Sequence, residues 1–525
     1  MKNLVRKQVD QILDDNPGRL QSVIVQMEDP ENELLSILEA STEALRRRHL
    51  TTSARELIPP IADLIRKDTI PTETDRRKLR ASRETMTSQI ALAAIKSITT
   101  DVLREAGFNV IKQLMESDVV KQAMEAAIRR NPKKARPSGL PGGFKAFWSS
   151  KSAVLRLGRD ELNRLPDSIQ NIGTVFPNRS VQLPPIMEVT QIPQAILDNK
   201  TSAWGIEKIG ALAAWGAYDT RGIPYGSDRP VKVAVLDTGV DADHLELKSK
   251  VIDWAEFDED GELVEGSTPY DSGEHGTHVC GIIAGGRSES PSKGYPLIGV
   301  VPDAKLLVGL VLKGGKGKYS QILSGIDWAI ETGAEVINMS LGRVAFEPDV
   351  LDVYTRSILS ANRLGIPIVV SIGNEGAQTS GSPGSDFFAF AVGATDHNDR
   401  PGGFSGGRTQ IIRESRYIPE EYLPLVYSKP EISAPGVAIR SCKPNGKYAI
   451  WNGTSMAAPH VTGALSLLLA ATDIRSVPPQ RRAFLLQDLL ISSVEELGES
   501  GKDHRFGFGR INILRAIAFA KEQGY

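Results

Sequence analysis

Cysteine is scarce in this chain: Cys280 and Cys442 are the only two in 525 residues. A small secreted scaffold held by disulfides would carry more, and thiols this sparse read as reduced groups in a cytoplasmic protein. An excess of either charge is also missing. Lys and Arg total 62 against 64 Asp and Glu, a net charge of -2, which gives no electrostatic drive toward nucleic acid or an anionic membrane. Long hydrophobic runs are absent too. The stretch "ALSLLLAA" is too short to span a bilayer. The opening "MKNLVRKQVDQILDDNPGRL" scatters charges where a secretory leader needs a continuous apolar core. These absences predict a cytoplasmic location and exclude nucleic acid and membrane as expected partners.

What is present is globular composition, 41% hydrophobic, at a length that suggests more than one domain. Three textures follow one another. Up to about Pro132 the chain is charged and rich in helix formers, with amphipathic stretches such as "SQIALAAIKSITTDVLREAGF". From "RPSGLPGGF" it breaks on Pro and Gly. It then reads strand ("SAVLRL"), short helix ("GRDELNRLP") and strand or strand pair ("IGTVFPNRSVQL"), before a polar connector up to "NKTSAWGI". From about Thr201, Val- and Ile-rich strands ("VKVAVLD", "AKLLVGLVL", "EVINMSL", "GIPIVVSI") alternate with helical runs. That alternation predicts an α/β fold, a doubly wound and mainly parallel sheet with helices on both faces.

Functional residues of such a sheet gather at the carboxyl ends of its strands. Asp237 ends "VKVAVLD". His275 starts the helix "HGTHVCGIIAG". Asn374 follows "PIVVSIG", and Ser455 opens the helix "SMAAPHVTGALSLLLA". Each alone has a structural reading: a turn former, a helix-terminal polar residue, an amide in a turn, an N-cap. Together they supply one chemistry. A serine hydroxyl needs a base to take its proton. An imidazole does that near neutral pH, and a carboxylate fixes its tautomer. The oxyanion needs preorganised donors, here an asparagine amide and the backbone N–H at a helix start. Gly453 lets the backbone approach closely, and Pro459 is expected within the first helical turn, where N–H groups have no intrahelical partner.

The blocks "VAVLDTGVDADH", "HGTHVCGIIAG", "SLG", "SIGNEG", "EISAPG" and "NGTSMAAPHVTGAL" resemble those of the subtilisin-like serine proteases, over roughly Ala203 to Ala520. The resemblance implies Asp237, His275 and Ser455 as a catalytic triad and Asn374 as the oxyanion-hole donor. It implies a wall of the substrate pocket at Ser340, Leu341 and Gly342. It also implies an edge strand at "GKGKYS", around Gly317, that pairs with an extended substrate. Protein or peptide substrates follow, with an apolar residue favoured in the pocket and no cofactor for the chemistry. Structural calcium has room in this reading: Glu246 stands where relatives often place an aspartate ligand. The short loop that builds their calcium site is, however, replaced by "GGRSESPSKGYPLIGV". Cys280, one turn beyond His275, reads as a buried small apolar residue.

Upstream, "SVIVQMEDPENELLSILEASTEAL" and "SAVLRLGRDELNRLPDSIQNIGTVFPNRSVQL" resemble the two ferredoxin-type halves of the family's inhibitory propeptide, split by a helical insertion at about 51–134. The resemblance thus implies residues 1–199 as a propeptide-like region and 200–525 as the protease. The tail after "SVQL" is expected in the substrate groove as a product-like inhibitor. Cleavage is expected between Gln182 and Trp204, with Met187 and Leu197 the best-suited residues. The insertion suits a regulatory protein partner. Two rival readings are a catalytically idle scaffold on a protease fold and a protease gated by a partner of the N-terminal region.

Overall fold

The computed structural model describes residues 2–15, 20–28, 100–130, 141–169, 171–189, 201–224, 227–286, 297–344, 352–413, 420 and 423–525. The first unit is built on a four-stranded antiparallel sheet of β1 (Gln21–Met27), β2 (Lys145–Phe147), β3 (Ser152–Leu157) and β4 (Ile172–Pro177), in the order β2-β3-β1-β4. β1 pairs with both β3 and β4, so the strand of the first half lies between those of the second. Among the described residues four helices belong to this unit: α1 (Lys2–Asp15), α2 (Thr100–Met115), α3 (Asp118–Arg130) and α4 (Arg159–Ser168). The expected helix over "ENELLSILEASTEAL" lies outside the described residues, as does most of the insertion before Thr100.

Sequence reading assigned no element to the first residues. Val5, Val9, Ile12 and Leu13 nevertheless share the helical spacing that buries one face of α1. The sheet is apolar on both faces because its strands alternate with period two. Val23, Val25, Leu155 and Leu157 pack under the helices with Val9, Ile111 and Leu165. Ile24, Val154 and Phe147 point the other way, into the core of the second unit.

That second unit carries seven parallel strands: β7 (Lys232–Asp237), β8 (Val251–Glu256), β9 (Lys305–Leu310), β11 (Val336–Met339), β13 (Ile368–Ser371), β15 (Phe390–Thr395) and β18 (Ile432–Pro435). Their order is β18-β15-β13-β11-β7-β9-β8. The chain winds one way from β7 to β9 and β8, and the other way from β11 outward. The reversal, where such sheets leave a crevice, therefore lies between β7 and β11. One face is covered by α5 (His275–Ala284) and α8 (Thr454–Ala471). The other is covered by α6 (Tyr319–Glu331) and α7 (Thr355–Arg363). Helices α9 (Pro479–Ser492) and α10 (Ile513–Glu522) complete the first layer. Among the described residues α8 is the one helix long and apolar enough to cross a membrane; here it is wholly buried in the core.

Shorter strands border the sheet. β12 (Arg343–Val344) pairs with β14 (Gly381–Ser382), and β16 (Arg408–Ile412) with β17 (Leu425–Lys429). β19 (Ile439–Lys443) and β20 (Lys447–Asn452) form a hairpin. β5 (Ser180–Gln182) pairs with β10 (Lys316–Lys318), and β6 (Met187–Glu188) with β20.

The two units meet where the four-stranded sheet lies on α6 and α7. The backbone N–H groups of Trp148 and Ser149 donate to the two carboxylate oxygens of Asp327 at 2.9 and 3.2 Å. The Trp148 indole donates to Glu331 at 3.1 Å. Ser149 Oγ bonds Ser357, and Ser360 Oγ donates to the Ser149 carbonyl, both at 2.8 Å. Gln26 reaches the Val353 carbonyl, and the Arg356 guanidinium reaches that of Met27.

Candidate active site

The fold joins Asp237 to His275 and Asn374 to the start of the serine's helix, while no hydrogen bond links His275 to Ser455 among the described residues. Asp237 ends β7 at the topological reversal. His275 is the first residue of α5, and its Nδ1 lies 2.7 Å from Asp237 Oδ1. A carboxylate accepts only, so Nδ1 carries the proton and Nε2 presents a lone pair. Asp237 Oδ1 also accepts the Thr238 N–H at 2.7 Å. Both side chains are fully buried, and His275 Nε2 has no hydrogen-bond partner among the described residues.

The start of α5 is held by groups that sequence reading missed. Thr238 Oγ1 accepts the Gly276 N–H at 2.9 Å, and the Asp271 carboxylate accepts from Thr277 N–H and hydroxyl at 2.8 and 2.6 Å. These satisfy two of the orphan donors of the first turn and fix where His275 stands. The signal was an aspartate four residues before the histidine, a common helix-start residue.

Ser455 lies in the first turn of α8. Its hydroxyl donates to the Ser340 carbonyl at 3.4 Å. Pro459 departs from the expectation: α8 begins at Thr454, which puts Pro459 in the second turn. Lacking an N–H, it leaves the Ser455 carbonyl without its i+4 donor. Ser340 Oγ supplies the replacement at 3.1 Å and in turn accepts from Asn338 Nδ2 at 3.1 Å. The proline thus ties the serine's helix to the end of β11.

Asn374 Oδ1 accepts from Thr454 twice, from N–H at 2.8 Å and from Oγ1 at 2.7 Å. With the oxygen so occupied, the amide NH2 faces the groove. A Cβ at Gly453 would lie 3.3 Å from that nitrogen and 3.2 Å from Met456 Sδ, crowding both side chains. Thr454 is the orienting residue. Trp451 stacks on His278 with ring centroids 4.4 Å apart.

The chain's own connector crosses these groups. β5 lies between β10, where Val181 faces Gly317, and the backbone of Gly342, which bridges Gln182. Leu183 N–H donates to the Gly315 carbonyl at 3.0 Å. The Pro185 carbonyl accepts from Asn374 Nδ2 at 2.9 Å. Met187 and Glu188 pair with Asn452 and Trp451, and Val189 N–H donates to the Ile450 carbonyl at 3.2 Å. The tail after Gln182 thus runs along β10 and β20 and across Asn374. Pro185 rather than Met187 faces Asn374, and Leu197 lies outside the described residues.

Gly317 must be glycine, because a Cβ would collide with the Val311 carbonyl. Lys318 is engaged by Glu259 at 2.5 Å. A cleft of about 320 Å³ opens beside the connector, lined by Gly342, Arg343, Val344 and Glu375 and by Leu183 and Pro184. Ser340 and Leu341 lie buried behind it. Cys280 and Cys442 are free and buried.

This site falls inside a stretch with known relatives. The subtilase family model (Peptidase_S8) matches residues 228–509. An intracellular serine protease of Paenibacillus polymyxa is 37% identical over 270 residues, which are 50% of this chain and 72% of that protein. Subtilisin E of Bacillus subtilis (strain 168) is 34% identical over 292 residues, 54% of this chain and 65% of subtilisin E. The major intracellular serine protease of the same strain is 33% identical over 291 residues, 54% of this chain and 76% of that protein. The match spans more than half of the chain and includes Asp237, His275, Asn374 and Ser455: the chain belongs to the subtilase family of subtilisin-like serine proteases.

Proposed function

We propose that this protein is a cytoplasmic serine endopeptidase made as a self-inhibited precursor, in which residues before about Gln182 form the inhibitory domain and the following connector straps the site. Ser455 Oγ attacks the scissile carbonyl while His275 Nε2 takes its proton. Asp237 holds the imidazole by Nδ1 and stabilises the imidazolium. The oxyanion is met by Asn374 Nδ2 and the Ser455 N–H at the positive end of α8. The C–N bond then breaks, the leaving amine takes the proton from His275, and water hydrolyses the acyl-enzyme by the reverse relay.

The observation that carries the proposal is the Pro185 carbonyl held by Asn374, in a chain that also forms a buried Asp237–His275 pair. The strap resists cutting because Pro184 and Pro185 fall between its two paired stretches. Each has a φ fixed near −65° and no N–H, so the segment between the paired stretches cannot donate strand hydrogen bonds at these two positions. The apolar pocket preference belongs to the same reading, with Glu375 at the rim. The names of two relatives, both intracellular serine proteases, support the location.

The test is to purify the chain and its Ser455→Ala form, label both with a fluorophosphonate and map their N-termini by mass spectrometry. Labelling and processing in the first alone are expected. A folded wild type that stays unlabelled even after an added protease has cut the connector would favour the idle scaffold.

A further inference from the structure

Three lysines punctuate the stretch "LKGGKGKYS", and the fold uses them differently. Gly314 and Gly315 have φ of +61° and +80°, as a two-residue hairpin turn requires, and the turn sets Lys313 opposite Lys316. Lys313 Nζ lies 2.9 Å from Glu256 Oε1, and Lys318 Nζ lies 2.5 Å from Glu259 Oε2. Both carboxylates are thus spent on a lysine. Lys316, between them, is exposed and has no carboxylate partner among the described residues.

The residue that faces Lys316 is Gln182 of the connector. Tyr319 N–H donates to the Arg179 carbonyl at 3.2 Å, and Leu183 N–H donates to the Gly315 carbonyl at 3.0 Å. The hydrogen-bonded positions of this antiparallel pair are therefore Tyr319 with Arg179 and Gly315 with Leu183. Lys316 and Gln182 fall between such positions, where facing side chains stand closest, with Cβ atoms about 4.5–5.5 Å apart. On its other flank Gln182 meets the backbone of Gly342, which brings no side chain. Gln182 itself is exposed and lies three residues before Pro185, whose carbonyl Asn374 holds.

We infer, resting on the peptidase reading, that Lys316 selects substrates carrying Asp or Glu at the position Gln182 fills. A substrate that takes the connector's place along β10 puts that side chain beside an ammonium with no other partner. The connector offers the uncharged isostere of glutamate there. It follows the strand register without forming the ion pair, so an acidic substrate competes well against it once the connector is cut. Both groups stay in water, which keeps the preference modest and sensitive to salt: about two- to fivefold in kcat/KM for Glu over Gln.

The test has two arms. The first measures kcat/KM of the processed chain on three peptides that carry Glu, Gln or Lys at this position and are otherwise identical. At low salt the order Glu, Gln, Lys is expected, with the three converging at high salt. Lys316→Gln should bring the Glu peptide level with the Gln peptide, and Lys316→Glu should invert the order. Equal rates for the parent on all three would overturn the inference and leave the peptidase reading standing.

The second arm needs no catalysis. In the full chain carrying Ser455→Ala, Gln182→Glu should raise the hydrogen-exchange protection of the Leu183 N–H about two- to fivefold at low salt. The rise should vanish when Lys316→Gln is added. Unchanged protection in the Gln182→Glu form would overturn the inference whether or not any peptide is cut. Raised protection without peptide cleavage would uphold the Lys316 contact and fault the peptidase reading alone.

Discussion

The Pro185 carbonyl accepts a hydrogen bond of 2.9 Å from Asn374 Nδ2. A backbone oxygen of the chain's own connector therefore occupies the place proposed for the developing oxyanion. Asn374→Ala in the activated enzyme should reduce kcat by about 10²–10³ with little change in KM, the range known for subtilisin, a relative. Thr454→Val, which leaves Asn374 Oδ1 one donor instead of two, should give a smaller fall of the same kind. Steady-state kinetics on a peptide substrate check both; a rise in KM alone would make Asn374 a ground-state binding residue.

Ser455→Ala should lower kcat by about 10⁶, again a magnitude taken from subtilisin. The variant should keep its N-terminus and bind a folded inhibitor normally. Peptidase activity near that of the parent, in a preparation free of other proteases, would remove Ser455 from the role of nucleophile.

The prolines of the strap are predicted to protect it. A Pro184→Ala, Pro185→Leu double variant restores two N–H groups and lets the strand stay extended between β5 and β6. Self-cleavage between Gln182 and Met187 should then quicken at least about tenfold, a barrier change of only about 1.4 kcal/mol. Time-resolved mass spectrometry follows it, with Ser455→Ala in the same background as the uncut control. Equal rates for parent and variant would put the protection elsewhere.

Asp327 accepts two backbone N–H groups of the N-terminal unit. Asp327→Ala leaves both buried donors unpaired at a cost of about 1–3 kcal/mol each. The four-stranded sheet should loosen from α6 and α7. Faster deuterium uptake in Val23–Val25 and higher peptidase activity of the precursor are expected, with the kcat of the fully processed enzyme unchanged.

Two buried histidines set an acid limit. Burial, with some help from the charge of His275, pushes His278 down to about 3, and burial pushes His460 down to about 4. Below the usual value near 6.5 the unfolded chain takes up protons that these sites refuse. Stability is therefore full above that pH and is lost as pH falls toward about 4, by roughly 1.4 kcal/mol per pH unit for each histidine. Urea midpoints of the Ser455→Ala form should drop across that window. His460→Gln should flatten the slope by about one proton.

Much of this was legible in the sequence because it is local. The central strands β7, β9, β11 and β13 are short runs rich in Val, Ile and Leu and buried on both faces, unlike the half-exposed edge strand β8, and helices follow as separate periodic segments. Asp237, His275, Asn374 and Ser455 stood out because each sits at the boundary of such a run. The helix α1 was missed because its four buried apolar residues are spread through charge, and their burial depends on a sheet whose other strands come more than a hundred residues later.

Tertiary structure alone decided the rest. No local pattern says that Asp271 and Thr238 anchor the start of α5, that Thr454 turns the Asn374 amide, or that Ser340 answers the carbonyl left open by Pro459. These bonds join residues up to 115 positions apart, and their geometry exists only once β7, β11 and β13 lie side by side. The path of the connector is of the same kind. Its sequence shows a polar, proline-interrupted stretch, whereas its strand pairing comes from unpaired backbone groups on β10 and β20 that must find partners when buried. Sequence thus determined which elements form and which side chains are available for chemistry. Packing determined which of them meet, because backbone donors and acceptors taken from water are satisfied by neighbours in space and not by neighbours along the chain.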